Sequence, residues 1–165
     1  MQINVLDIIE GTSVDGPGLR TAIYLAGCTH GCKGCHNPQS WDEKGGNPTS
    51  LETLIQIVKD NDFDVTISGG DPFLHPEQLT ELCRHIKTQT GKNIWCYTGY
   101  TWQQICNSAK LSEPLKWIDV VVDGPFIEAL RNPELLFRGS SNQRLIDVSK
   151  SLSTGTVSEW LNPFE

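Results

Sequence analysis

Hydrophobic residues follow two alternating spacings along most of the chain. In the first, short runs are almost wholly apolar, which predicts a buried strand. In the second, apolar residues recur at i, i+3, i+4 and i+7, as in Leu51, Leu54, Ile55 and Val58, which predicts an amphipathic helix. The predicted strands lie at 21–26, 65–68, 93–97, 118–122 and 145–148, and the predicted helices lie at 51–58, 79–86 and 101–108.

Strands and helices alternate, and this order is typical of βαβ units around a parallel sheet. The sequence Thr49-Ser50-Leu51-Glu52 fits a capping box at the start of the first helix. A closed eight-stranded barrel usually takes about 250 residues, whereas this chain has 165. We therefore predict an α/β fold in which an open partial (β/α) barrel contains about five or six parallel strands. The interpretation is a single domain over residues 1–165, in which the last ~15 residues are a tail without an assigned element.

Charge and composition exclude some classes of partner. The formal net charge is −7, whereas nucleic acids and anionic membranes bind basic surfaces, so neither is expected as a partner. The N-terminus lacks the basic start and apolar stretch of a secretory signal, and no apolar run approaches the roughly 20 residues of a membrane span. We expect a cytoplasmic protein.

Three of the six cysteines are crowded into one loop with C-x3-C-x2-C spacing: Cys28, Cys32 and Cys35. Three thiolates on a short loop can converge on one metal centre, and iron–sulfur clusters prefer thiolate ligands. A [4Fe–4S] cluster usually takes four cysteines, so three would leave one iron open for a substrate. A structural zinc site that adds His30 or His36 is an alternative, although zinc sites usually combine cysteine pairs from two places.

Glycine and acidic residues follow the predicted strands, as expected at the carboxyl edge of a parallel sheet, where ligands bind. They occur in Gly69-Gly70-Asp71-Pro72, Thr98-Gly99 and Asp123-Gly124-Pro125. Each could also be an ordinary turn or cap. Arg20 and Arg138 could bind a cofactor carboxylate or the acids of a partner, although a single arginine is more often a solvated surface residue.

The cysteine spacing, together with Gly69-Gly70-Asp71-Pro72, resembles the signature of the radical S-adenosylmethionine superfamily. The resemblance implies a [4Fe–4S] cluster on Cys28, Cys32 and Cys35, with S-adenosylmethionine bound at the open iron. It also implies that the glycine pair and the acid after it hold the methionine part of the cofactor. The cofactor residues expected from it are Gly34, Cys35, His36, Gly69, Gly70, Asp71 and Asp123.

One position departs from the superfamily pattern. Much of the superfamily has an aromatic residue just before the third cysteine, where this chain has Gly34, and the planar side chain follows as His36. We expect the ring or backbone of His36 to pack against the adenine. No side chain is assigned a catalytic role, because the cluster and S-adenosylmethionine carry the chemistry.

Further segments resemble the activating enzymes of glycyl-radical enzymes, and in particular those of anaerobic ribonucleoside-triphosphate reductase. They are 15–20, 122–126 and 138–143, and the resemblance covers residues 1–148. It implies reductive cleavage of S-adenosylmethionine and abstraction of a hydrogen from a glycine of the reductase, with a one-electron donor such as flavodoxin. Activation of another glycyl-radical enzyme, such as pyruvate formate-lyase, and electron transfer by a non-catalytic iron–sulfur protein are the alternatives.

Overall fold

The computed structural model describes residues 1–35 and 38–163, so His36 lies outside the described residues. Within them the chain forms one seven-stranded sheet and five α-helices. The strands are β1 (Gln2–Thr12), β2 (Arg20–Leu25), β3 (Asn47–Ser50), β4 (Asp64–Gly69), β5 (Ile94–Tyr97), β6 (Val120–Asp123) and β7 (Arg144–Asp147). The helices are α1 (Leu51–Asn61), α2 (Pro76–Thr90), α3 (Trp102–Cys106), α4 (Ala109–Ser112) and α5 (Val148–Thr154).

The predicted α/β class is confirmed, but the sheet is open and the predicted partial barrel is not confirmed. The strand order is β3-β1-β2-β4-β5-β6-β7, and only β2, β4, β5 and β6 run parallel to one another. The flanking strands pair in antiparallel fashion, so the prediction of five or six parallel strands is wrong. The physical reason is the length of the connections between strands, because two parallel strands must be joined by a long crossover, which is usually a helix. Residues 13–19 are too few for one, and residues 124–143 contain no α-helix.

One face of the sheet packs against the helices and forms the main core. Alternate strand residues such as Ile23, Ile67 and Cys96 point to this side, where they meet the apolar stripes of α1 and α2. The predicted helical spacing is therefore confirmed. The N-cap of α1 is Ser50, one residue later than predicted, and its Oγ accepts from Thr53 N at 3.1 Å. The capping box predicted from Thr49 is wrong.

The opposite face of the sheet carries a second, smaller cluster that involves the C-terminal tail. Trp95 lies buried at its centre, with its ring 5.3 Å from that of Phe137 and 5.0 Å from that of Trp160. The tail follows β7, since Trp160 N donates to Leu145 O at 2.7 Å. The tail covers only part of this face, and a cavity lies beyond the cluster at the ends of the strands.

Arg20 ties the loop 13–19 to the start of the sheet. It is 1% exposed, and it donates to Pro17 O at 3.0 Å, Thr66 Oγ1 at 2.9 Å and Val65 O at 2.8 Å. The side chain is neither a solvated surface group nor available to a ligand, so both interpretations made from the sequence are wrong. No helix in the described parts of the chain is long and apolar enough to span a membrane.

Candidate functional site

A cavity of about 460 Å³ lies at the carboxyl ends of the parallel strands. Parallel sheets place ligand sites at this edge, because the loops that follow successive strands meet there. Several of the residues singled out in the sequence line it: Cys28, Cys32, Cys35, Gly69 and Gly70. The chain brings these residues together from two segments that lie more than 30 positions apart in the sequence.

The cysteine loop begins immediately after β2 and is held by the segment that follows it. Gly27 N donates to Ser40 O at 2.7 Å, and Cys28 N donates to Trp41 O at 3.1 Å. Gly31 and Gly34 have φ of 61° and 76°, a left-handed conformation that glycine adopts without steric cost. The loop can therefore turn tightly enough to present all three thiols to one cavity.

The three thiols have the chemistry of an iron–sulfur ligand set. All three are partly buried and free of disulfides, and burial raises the pKa of Cys28, with a further increase from the nearby Asp71, Cys32 and Cys35. Bound iron would favour the thiolate form of Cys28, which burial otherwise disfavours. In the described part of the chain, no three His, Cys, Asp or Glu side chains are grouped as ligands of a single ion. Thiolates are the ligands that iron–sulfur clusters prefer, so the three thiols suit such a cluster.

Gly69 and Gly70 bring the end of β4 against the cysteine loop. Gly70 N donates to Leu25 O at 2.8 Å, and Asp71 N donates to Gly27 O at 2.6 Å. A Cβ atom on Gly70 would lie 2.3 Å from Gly27 O, and one on Gly69 would lie 2.3 Å from the backbone of Leu25. Glycine is therefore required here by backbone packing, besides leaving space at the cavity.

The carboxylate of Asp71 is buried behind the cavity wall. One oxygen accepts from Thr98 Oγ1 at 2.9 Å, from Gly99 N at 2.9 Å and from the His30 ring. The other oxygen accepts from Phe73 N at 2.9 Å. The bond to Asp71 raises the pKa of His30. The structure thus uses this side chain to join the cysteine loop to the ends of β4 and β5, while contact with the cofactor stays a prediction.

Asp123 and Gly34 are also placed outside the cavity lining. Asp123 is 1% exposed and accepts from Trp102 N at 2.8 Å and from Arg144 Nη2 at 2.7 Å. This ion pair raises the pKa of Arg144. Gly34 lies beside Glu128, whose Cδ would be 3.0 Å from an added Cβ. The assignment of both residues to the cofactor remains a prediction.

Comparison with known proteins assigns the chain that forms this site to a family. The family model described as a 4Fe-4S single cluster domain matches residues 14–146. The anaerobic ribonucleoside-triphosphate reductase-activating protein of Escherichia coli K12 is 39% identical over 140 residues, which cover 79% of this chain and 89% of the relative. The chain belongs to the family of anaerobic ribonucleoside-triphosphate reductase-activating proteins.

More distant members support the same assignment. The Haemophilus influenzae activating protein is 35% identical over 151 residues, covering 86% of this chain and 96% of the relative. The activating protein of phage T4 is 36% identical over 140 residues, covering 80% and 86%. The resemblance seen in the sequence is therefore confirmed, and the matched family model supports an iron–sulfur cluster.

Sequence inspection missed part of the cavity of this family member. Tyr24, which donates to the carboxylate of Asp15, lines the cavity together with Ser68. Strand alternation is the signal that was available, because Ile23 and Leu25 on either side of Tyr24, and Ile67 before Ser68, belong to the core that faces the helices. The side chains between them must then face the opposite side, where the cavity lies.

Proposed function

We propose that this protein cleaves S-adenosylmethionine reductively at a [4Fe–4S] cluster and thereby generates a glycyl radical on anaerobic ribonucleoside-triphosphate reductase. The observation that supports the proposal most directly is the meeting of three cysteine thiols and a glycine pair at one cavity. This arrangement occurs in a chain that belongs to the activating-protein family.

The residues of the chain have three tasks in this proposal. Cys28, Cys32 and Cys35 hold the cluster, and Gly69 and Gly70 leave the backbone exposed beside it for the methionine part of the cofactor. A cluster held by these residues would supply the electron that breaks a carbon–sulfur bond of S-adenosylmethionine, and this cleavage would allow a hydrogen atom to be removed from the target glycine. The cavity walls orient the cofactor and exclude water, which protects a reactive radical.

The target glycine must reach the cavity from outside the chain. Val14 lines the cavity and is 71% exposed, so the entrance has an apolar edge that solvent reaches. A glycine-bearing loop of the reductase would enter here, beside Gly69, and would close the cavity over the reacting atoms.

The proposal also requires a one-electron donor, such as flavodoxin, and a reducing environment. None of the six cysteines, all of which lie in the described residues, forms a disulfide, which fits a reducing compartment such as the expected cytoplasmic location.

The first test measures the cluster and the cleavage reaction. Anaerobic reconstitution should give about four irons and four sulfides per chain, and reduction in the presence of S-adenosylmethionine should release 5′-deoxyadenosine. Cys32→Ala should abolish both the full iron content and the release, whereas Cys106→Ala, which changes an exposed cysteine outside the cavity, should leave both unchanged. A colourless protein with one tightly bound zinc would contradict the proposal.

The second test identifies the target. Electron paramagnetic resonance of the reduced mixture with the reductase should show a glycyl radical, and replacement of the target glycine by alanine should remove the signal. Cleavage without a radical on a competent reductase would indicate another glycyl-radical enzyme as the target. A cluster that exchanges electrons but never cleaves S-adenosylmethionine would indicate an electron-transfer protein.

A further inference from the structure

Arg138 places a positive charge at the cavity that the described chain does not neutralise. Its side chain lines the same cavity as Cys28 and Gly69, and its Nη1 donates to Gln143 O at 3.0 Å. Its Nε is buried, yet it has no hydrogen-bond partner within residues 1–35 and 38–163. Arg138 also forms no ion pair with a carboxylate of those residues. Buried polar groups are nearly always paired, so an acceptor from outside the chain is expected at this Nε.

Arg20 provides the contrast within the same molecule. Its guanidinium uses Nε, Nη1 and Nη2 as donors, to Thr66, Pro17, Val65 and neighbouring backbone. It therefore has a structural role and no capacity for a ligand. Arg138 has the opposite arrangement, with one nitrogen held by the protein and the buried Nε left over.

The backbone on both sides of Arg138 is fixed. The preceding residue, Phe137, has a φ of 61°, which is costly for a residue with a side chain. Its carbonyl accepts from Tyr97 OH at 2.6 Å, and its ring contacts those of Trp95 and Trp160 edge-on. A strained backbone conformation persists only where the surrounding contacts hold the residue in it, and such residues occur often at ligand sites.

The residue after Arg138 is fixed by Gln143. Gly139 N donates to Gln143 Oε1 at 2.9 Å, while Gln143 Nε2 donates to Gly124 O at 3.1 Å. An added Cβ on Gly139 would lie 3.2 Å from the ring of Phe126. Arg138 is thus held in position before a ligand arrives, which reduces the entropy lost on binding.

The charged residues that line the cavity indicate which kind of ligand group would accept from Arg138. Asp15, an acidic residue, lines the same cavity as Arg138. A ligand that carries one carboxylate together with positive groups fits both signs. The guanidinium fork binds carboxylates through two adjacent N–H groups.

We infer that Arg138 binds the carboxylate of the methionine part of S-adenosylmethionine, with Nε and Nη2 as the donors. The inference rests on the proposed function, because that function supplies the ligand. It makes Arg138 a binding residue of the cavity and gives the Phe137 contacts the task of positioning it.

The experiment compares two ligands on the same set of cluster-loaded variants. Anaerobic calorimetry measures the Kd of S-adenosylmethionine and of decarboxylated S-adenosylmethionine, which lacks only the carboxylate. Arg138→Gln should raise the Kd of the first about 10- to 100-fold and leave that of the second within about twofold of the wild type. Arg138→Lys keeps the charge without the fork, so its Kd for S-adenosylmethionine should fall between those of the wild type and Arg138→Gln. Arg131→Gln removes the same charge from an exposed position of the same segment and should change neither value.

Iron content and thermal unfolding of each variant exclude loss of the cluster or the fold as the cause. Equal weakening of both ligands by Arg138→Gln, or no weakening of either, would overturn the inference. Normal binding of S-adenosylmethionine with weakened binding of the reductase would assign the carboxylate to the partner and overturn it too. A wild-type protein that holds its cluster but binds neither compound would refute the proposed function itself. An unaffected variant beside an active wild type would refute this inference alone.

Discussion

The substitution Asp71→Asn tests whether this buried carboxylate stabilises the fold or binds the cofactor. Asp71 is 3% exposed, and its carboxylate accepts four hydrogen bonds, three of them on one oxygen. Asparagine has nearly the same shape but only one acceptor oxygen and no charge. If that oxygen faces the three donors, the new amide N–H₂ faces Phe73 N, so two donors confront each other.

The expected loss of stability follows from these contacts. Hydrogen bonds to a charged group contribute about 1.5–3 kcal/mol each, and a buried donor left unpaired costs about 1–3 kcal/mol. Because Asp71→Asn removes at least one bond and weakens the other three, we expect a loss of about 2–4 kcal/mol in the free energy of unfolding. For a chain of this length each kcal/mol lowers Tm by about 2–4 °C, so Tm should fall by about 5–15 °C.

The assay is thermal and urea unfolding of the cluster-free protein, followed by circular dichroism, so that metal loss does not enter. Asp42→Asn is the matched control, because Asp42 is exposed and, within residues 1–35 and 38–163, its carboxylate accepts only from Lys44 N. Its effect should stay within about 0.5 kcal/mol. His30→Gln should cost less than Asp71→Asn, and the double variant less than the sum of the two, because the residues share one bond.

One outcome would refute this reasoning. If Asp71→Asn unfolds like the wild type while the Kd for S-adenosylmethionine rises tenfold or more, the carboxylate faces the cofactor. The contact expected from the family resemblance would then be correct, and the internal hydrogen bonds would contribute little to stability.

Three further predictions concern the walls of the cavity and the remaining thiols. Trp160→Ala should lower the affinity for S-adenosylmethionine in calorimetry by removing the support of the cavity wall, whereas Leu161→Ala, at a 78% exposed neighbour, should not; equal effects would contradict a role for the tail. Gly70→Ala should reduce both iron content and Tm, because the Cβ would collide with a backbone oxygen 2.3 Å away; an intact cluster in a stable variant would contradict the close packing seen here. Burial raises the pKa of Cys83, so iodoacetamide at pH 8 should modify Cys106 in the folded protein and leave Cys83 unmodified until urea unfolds it. The same shift means that the thiol stabilises the fold less as the pH rises above its usual pKa of about 9, and urea midpoints measured from pH 8 to pH 10 should decrease.

The C-terminal tail shows why some elements escaped prediction. Residues 156–163 have no apolar periodicity, yet Trp160 packs on Trp95 and the backbone pairs with β7. The strands β1 and β3 were missed for a related reason. Asn47–Ser50 is short and polar, and it becomes a strand only because β1 lies beside it. Pairing between distant segments stabilises such elements, and local composition does not record it.

By itself the sequence determined the order of the buried strands and amphipathic helices and the crowding of three thiols on one loop. These features are local, because strand and helix periodicity and ligand spacing depend on residues only a few positions apart. Tertiary structure alone decided that the donors of Arg20 would all bond within the protein, while Arg138 would line the cavity. It also decided that Asp71 would bond to His30, 41 positions away. The reason is physical: the charge and hydrogen-bond state of a side chain depend on the groups that folding brings around it, and those groups come from distant parts of the chain.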